Sequence, residues 1–353
     1  MKVVNLQIEK IKSGMKVFED VFNLSGLVIL YRNSLITEEN ITKLIINNIE
    51  RVKVVFEESE TSIYHLNDYY SNEKIEAFKR TYAKKVEEIT VVLKTIGRGE
   101  YIDLTDVKDI SKGIISQFDI LGDILNFMHL VRPLDDYTFS HSLNVSIIGV
   151  IIGIWLDFTP ADLDELATAG LLHDVGKTRI PEAILAKPSK LNKEEFEEMK
   201  KHTIFGYKMV ENIRGVTDNI RYSVIMHHEK IDGSGYPFGL KESEIPLFPK
   251  ILAIADIYDA MTSNRSYRDK MCPFEVIKNF EMQTFGKLDS RALTTFLRNI
   301  ASSYKGDFVR LSNGEIGEVI FINPNRVWQP IVRVNETYYD LSKNKDISIE
   351  GIV

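Results

Sequence analysis

Five of the seven histidines in this 353-residue chain, His141, His173, His202, His227 and His228, fall in its middle with acidic residues beside them. His173 and Asp174 adjoin in LLHDVGK, where the apolar lead-in places the pair at a buried helix end. A buried carboxylate and imidazole are costly unless they pair or hold a metal. Taken alone, they read as a hydrogen-bonded structural couple. His227 and His228 adjoin in VIMHHEKIDGSGYP. Neighbours on a helix diverge by about 100°, so the two converge on one site only if the helix stops there. Asp232-Gly233-Ser234-Gly235 says that it does. His202, in EEMKKHTIFGYKMV, and His141, in DDYTFSHSLNVS, are unremarkable singly. Asp256 interrupts the apolar run ILAIADIYDAM, and Asp259 follows three residues later on the same helical face. Carboxylates buried in such a run ask for cations.

Together these are five imidazoles and, in Asp174 and Asp256, two carboxylates. One tetrahedral zinc needs fewer. The set suits two metals in nitrogen and oxygen sites that share a bridging carboxylate. A metal pair of that kind clamps the attacking and leaving oxygens of a phosphoryl transfer, so the spacing points to a binuclear hydrolase.

The elements that must carry these residues are helical. From about 101 to 303 the pattern is helical almost throughout, broken by loops around 178–190 and 230–249 that hold most of the Gly and Pro. Before it, residues 1–56 read as a small α+β module: strand-like VVNLQIEKI and GLVILY, a helix opened by Thr37 with Glu38 and Glu39 in its first turn, and a closing strand RVKVVF. Residues 57–100 read as a helical linker with Ile75, Phe78, Tyr82, Val86, Ile89 and Leu93 at helical spacing. After it, DFVRLS, GEIGEVIFI, QPIVRV and TYYDLS make 304–353 a small β-rich domain. The fold class is therefore mainly α, with a small α+β module before the helical domain and a small β domain after it.

Composition narrows the function. Hydrophobic residues at 44% and charged residues at 27% are those of an ordinary globular protein. A net charge of −7 argues against a nucleic-acid polymer as partner, though not against a small phosphate-bearing substrate held by metals and a few Arg. The single cysteine, Cys272, excludes a disulfide framework and thiolate clusters, and it has no base beside it in sequence. The N-terminus lacks the apolar centre of a signal peptide. The most apolar run, Val145 to Leu156, is far short of the about twenty residues that span a bilayer. Gly149 and Gly153 within it are then expected to serve close helix packing. A cytoplasmic location is expected.

The stretch from about 133 to 300 resembles an HD-GYP domain, a subgroup of the HD phosphohydrolase superfamily. The likeness rests on HSLNVS at 141–146, HDVGKTRIPEAILAKPSKL at 173–191, HHEKIDGSGYPFGL at 227–240 and ILAIADIYDAMTSNRSYR at 251–268. The resemblance implies a phosphodiesterase that uses a metal-bridging hydroxide to cleave the bacterial second messenger cyclic di-GMP to pGpG, with onward cleavage to GMP left open. It implies two divalent transition metals, Fe or Mn. His141, His173, Asp174 and Asp256 would surround one, and Asp174 would bridge to a second held by His202, His227 and His228. Lys177 would face the scissile phosphate beside Asp174. Tyr236 would line the substrate pocket, with Asp259, Arg265 and Arg268 as further substrate contacts; surface salt bridging is the less favoured alternative for the two Arg. Some members of the family hold a third metal through a Glu four residues before the first His. Here that position is Tyr137, with Asp135 and Asp136 out of register, so two metals are expected. His65 and His129 match no motif.

Two alternatives stay open at this point. One is an HD hydrolase of another nucleotide, such as a different cyclic dinucleotide, because a change of substrate would leave the metal ligands untouched. The other is a catalytically weak receptor that binds cyclic di-GMP and signals to a protein partner. The flanking modules are sensors or oligomerisation surfaces, and a homo-oligomer is compatible with either.

Overall fold

Alternating apolar residues in the first and last segments of the chain become paired strands. The computed structural model describes residues 2–8, 11–23, 26–47, 49, 51–56, 72–115, 137–187, 189–262 and 272–353. Two units divide the chain: 1–75 with 272–274 and 304–353, and 76–271 with 275–303.

In the first unit, β1 (Lys2–Gln7) pairs antiparallel with β5 (Arg51–Phe56), which also pairs with β2 (Lys16–Val17). A two-stranded ribbon of β3 (Val21–Phe22) and β4 (Val28–Leu30) and helix α1 (Glu38–Ile46) complete this module. Thr37 accepts from the Asn40 N–H and so caps the helix the sequence places there. Leu6, Val17, Leu30, Leu44, Val52 and Val54 form its core. The C-terminal strands β6 (Phe308–Leu311), β7 (Ile316–Phe321), β8 (Ile331–Val334), β9 (Thr337–Asp340) and β10 (Ile349–Ile352) form one antiparallel sheet in the order β10-β6-β7-β8-β9. Four of these strands are legible as β runs in the sequence. The fifth, IEGI, is not, because its signal is four residues with a glycine inside. Cys272 is buried in the core of this sheet with Val309, Val319 and Val332, which gives it a packing role.

The second unit is helical. It holds α2 (Asn72–Gly97), α3 (Leu104–Ile115), α4 (Tyr137–Trp155), α5 (Pro160–Leu172), α6 (Glu182–Leu185), α7 (Lys193–Lys200), α8 (His202–Val210), α9 (Asp218–Met226), α10 (Leu247–Thr262), α11 (Pro273–Thr284) and α12 (Ser290–Ser303). Phe78, Tyr82, Val86, Ile89 and Leu93 are buried along one face of α2, as their spacing predicts. Caps fix where the short helices begin. Thr159 accepts from the Asp162 N–H, Thr217 from the Ile220 N–H, and Asn192 forms a reciprocal capping box with Glu195.

Helix α4 presents apolar residues on every side, and all of 141–150 is buried, with α3, α5, α10 and α12 packed on it. A Cβ on Gly149 would lie 2.9 Å from Leu252 of α10, and one on Gly153 would lie 2.8 Å from Leu163 of α5. Both glycines thus serve close helix packing. Among the described residues no helix is long and apolar enough to cross a membrane.

Candidate metal centre

Helix ends bring the polar residues together. His173 is the C-cap of α5, His227 the C-cap of α9, and His202 opens α8. At a helix end the chain turns, so His227-His228 and His173-Asp174 can aim at one point, which adjacent residues inside a helix cannot. Gly176 makes a further approach possible. A Cβ there would lie 1.9 Å from the His202 carbonyl oxygen and 2.5 Å from the Gly206 nitrogen, so only glycine lets α8 come close enough.

The result is two donor groups: Asp174, His202, His227 and His228 in one, His141, His173 and Asp256 in the other, with donor atoms in each within 4.8 Å of one another. Asp174 stands between them. Its Oδ1 lies 3.3 Å from His202 Nε2 and 3.8 Å from His227 Nε2. Its Oδ2 lies 3.2 Å from His173 Nε2 and 3.6 Å from His141 Nε2, and accepts from Lys177 Nζ. Asp256 joins the groups a second time, with Oδ1 3.0 Å from His141 Nε2 and Oδ2 3.5 Å from His228 Nδ1.

The donor chemistry fits cations. His173, His202 and His227 commit Nδ1–H to main-chain carbonyls of Gly170, Met199 and Val224 at 2.7, 2.7 and 3.0 Å. That leaves each Nε2 as a lone pair aimed inward. His173 Nε2 and Asp174 Oδ1 are buried without a hydrogen-bond partner. Burial drives the His202 imidazole down to about 4, with the Asp174 charge opposing, and it drives His227 and His228 down as well. Neutral imidazoles are the form that binds metal. His141 behaves differently. Burial would lower it, but its bonds to Asp256 and Asp259 win and hold it well above the usual histidine range. Asp174 is kept ionised, since burial raises it but the Lys177 and His173 charges pull it well below the carboxylate range. Among the described residues, three buried carboxylates, Asp174, Asp256 and Asp259, stand against the Lys177 ammonium and the His141 imidazolium, and such a site asks for added positive charge.

Over this cluster sits the loop with Gly235, Tyr236 and Pro237. The Tyr236 ring is 4.6 Å from that of His228 and 6.2 Å, edge-on, from that of Phe196. Burial, then the Asp256 and Asp174 charges, push the Tyr236 phenol up, so it stays a protonated donor. Glu229 anchors the loop. Its buried carboxylate accepts from the N–H groups of Phe238, Gly239 and Leu240 at 2.7, 3.2 and 3.0 Å.

Asp259, expected among the substrate contacts, is fully buried behind His141, accepting from His141 Nδ1 at 2.8 Å and Asn144 Nδ2 at 3.0 Å. The helical spacing rightly put it on the face of Asp256, but α4 covers that position. Arg265, Arg268, Asp135, Asp136, His65 and His129 lie outside the described residues. Tyr137 is the first residue of α4, one turn before His141, and its side chain is likewise not described. The sequence reading missed Glu229, Phe196 and Asn144. The available signals were a Phe in the otherwise charged EEFEEMKKH and an Asn inside the apolar run SLNVSII.

Residues 144–291 match the HD domain family model. A cyclic di-GMP phosphodiesterase of Pseudomonas aeruginosa is 31% identical over 67% of this chain and 57% of its own length. A 3′3′-cGAMP-specific phosphodiesterase of Vibrio cholerae is 32% identical over 53% of this chain and 43% of its own length. The chain thus spans about half the length of these relatives. A solved HDG"Y"P protein of Bdellovibrio bacteriovorus shares the fold, with a TM-score of 0.50 at 18% identity over 84% of this chain and 98% of that one. Residues 144–291 thus carry an HD domain.

Proposed function

We propose that this chain is a phosphodiesterase that opens cyclic di-GMP to pGpG at a two-metal site. The observation that carries the reading is the disposition of Asp174, one oxygen facing His202 and His227 and the other facing His141, His173 and Lys177. A carboxylate so placed is built to be shared.

His141, His173, Asp174 and Asp256 would hold one divalent cation, and Asp174, His202, His227 and His228 the other, with Fe or Mn suited to the mixed nitrogen and oxygen donors. Bound there, the two cations would supply Lewis-acid charge and lower the pKa of a bound water. The protein's part is placement and charge. Lys177 Nζ, tethered to Asp174, brings a fixed positive charge to the place where negative charge develops on the phosphoryl oxygens. Tyr236 offers a protonated hydroxyl and a ring wall beside His228. Phe196, half exposed and edge-on to Tyr236, offers a face on which a base can stack.

A second reading is cleavage of a mixed cyclic dinucleotide, which the named activity of the Vibrio relative supports. The test is competition. Protein purified anaerobically and loaded with Fe(II) or Mn(II) is given cyclic di-GMP and 3′3′-cGAMP together, and the products are separated by chromatography. Faster loss of cyclic di-GMP with pGpG appearing is expected. Intact cyclic di-GMP beside cleaved 3′3′-cGAMP would transfer the assignment to the second reading.

A further inference from the structure

His141 differs from His173, His202 and His227 in where its outer nitrogen goes. Those three donate to carbonyls three residues back in their own turns. His141 instead donates to Asp259 Oδ2 on α10, at 2.8 Å. The other oxygen of Asp259 accepts from Asn144 Nδ2 on α4, at 3.0 Å, and Asn144 Oδ1 accepts from the Tyr82 hydroxyl on α2, at 2.7 Å. All four side chains are buried: Tyr82 is 2% exposed, Asn144 2%, Asp259 0% and His141 3%.

Each bond in this series has one sensible direction. A carboxylate only accepts, so the Asn144 amide must turn its NH₂ to Asp259 and its oxygen to Tyr82. That oxygen needs a donor in a buried site, and the Tyr82 O–H is one. Without the hydroxyl, Asn144 Oδ1 loses its buried donor and the amide loses its second anchor. The amide in turn fixes which Asp259 oxygen is left for His141. That bond holds the His141 ring with Nε2 toward Asp174 and Asp256, where a bound cation would take the place of the Nε2 proton while Nδ1–H stays on Asp259.

We infer that Tyr82, more than fifty residues before the first metal-site residue in sequence, is a positioning residue for the His141 metal site, acting through Asn144 and Asp259. The inference rests on the two-metal reading above. It makes α2, which sequence reading treats as a linker, part of the support of the reaction centre, because the hydroxyl that anchors the Asn144 end of the series stands on that helix.

The test is manganese(II) titration of the metal-free full-length chain, read by calorimetry and by electron paramagnetic resonance, for wild type, Tyr82→Phe and Ile89→Val. Tyr82→Phe removes one oxygen and keeps the ring. Ile89→Val trims another buried residue of the same helix, itself 0% exposed and outside the series, and so controls for loosened packing. Wild type is expected to take two equivalents. In Tyr82→Phe one of the two is expected to bind about 10- to 100-fold more weakly and the other as in wild type, while Ile89→Val keeps both. Unchanged affinity for both equivalents in Tyr82→Phe, or equal weakening of both in Tyr82→Phe and Ile89→Val, would overturn the positioning role while leaving the metal site standing. A wild-type chain that takes up no manganese would overturn the two-metal reading and this inference with it.

Discussion

His202 and His227 point Nε2 at Nε2 across 3.4 Å, and neither can donate, because both Nδ1–H groups are committed to backbone carbonyls. Two lone pairs held face to face in a buried site repel each other unless an electrophile lies between them and Asp174 Oδ1. The same pair makes the metal-free protein acid-sensitive.

The pH dependence follows from the direction of the histidine shifts. His202, His227 and His228 have folded values below the ordinary 6.5, His202 by enough to reach about 4. Between those limits the unfolded chain binds more protons, so stability falls as pH falls from about 6.5 toward 4. His141 does not offset this. Its raised value gives stability that is complete below 6.5 and declines only at higher pH. Asp174 and Asp256, lowered from 3.8, contribute their loss below that window. Thermal melts of metal-free protein are expected to show Tm dropping steadily from pH 6.5 to 4, and added Mn(II) is expected to hold Tm up over the upper part of that range. A Tm that is level across the window would contradict the buried neutral imidazoles.

Sharing by Asp174 sets a stoichiometric contrast. Asp174→Ala is expected to lose both cations and to reduce turnover to below about a thousandth of wild type, whereas His202→Ala is expected to lose one cation. Elemental analysis of the purified variants checks this. Near-full metal content in Asp174→Ala would rule out the bridge.

Phe196 lends itself to a kinetic test. If a base stacks on its exposed face, Phe196→Ala forfeits about 1–3 kcal/mol of stacking and raises KM about tenfold, with kcat and metal content little changed. A small phosphodiester with no purine, such as bis(p-nitrophenyl) phosphate, is expected to be cleaved equally by both proteins. Equal loss on both substrates would mean that the ring supports the Tyr236 loop instead of the base.

The metal count turns on Tyr137. A phenol whose ordinary pKa is near 10 is a poor ligand for a hard cation at neutral pH, so two metals are expected. Tyr137→Glu is expected to gain a third and to shift product from pGpG toward GMP. A third metal without the product shift would separate metal count from extent of cleavage.

How much of this could be read from the chain depended on distance in sequence. The residues gathered in the cluster were legible because His is rare, most of these residues stand at helix ends, and glycines at 176, 233 and 235 punctuate the turns beside them. Asp259 was placed on the correct face and given the wrong surroundings, because helical periodicity says nothing about which helix covers that face. Asn144 stands out only as a polar residue in an apolar run, Tyr82 not at all, and neither says locally what it does. Their roles depend on α2, α4 and α10 meeting, over separations of 62 and 115 residues. In the sheet, β10 was missed for a related reason, since four residues acquire strand character from their partner β6.

The most direct measurement is a metal-loading curve read by product. Metal-free chain is titrated with Mn(II) under anaerobic conditions, and cyclic di-GMP cleavage is followed at each step by chromatography. A site that shares Asp174 between two cations predicts little activity through the first equivalent, a rise as the second binds, and pGpG as the product. Full activity at one equivalent, or no cleavage of cyclic di-GMP at saturation, would contradict it.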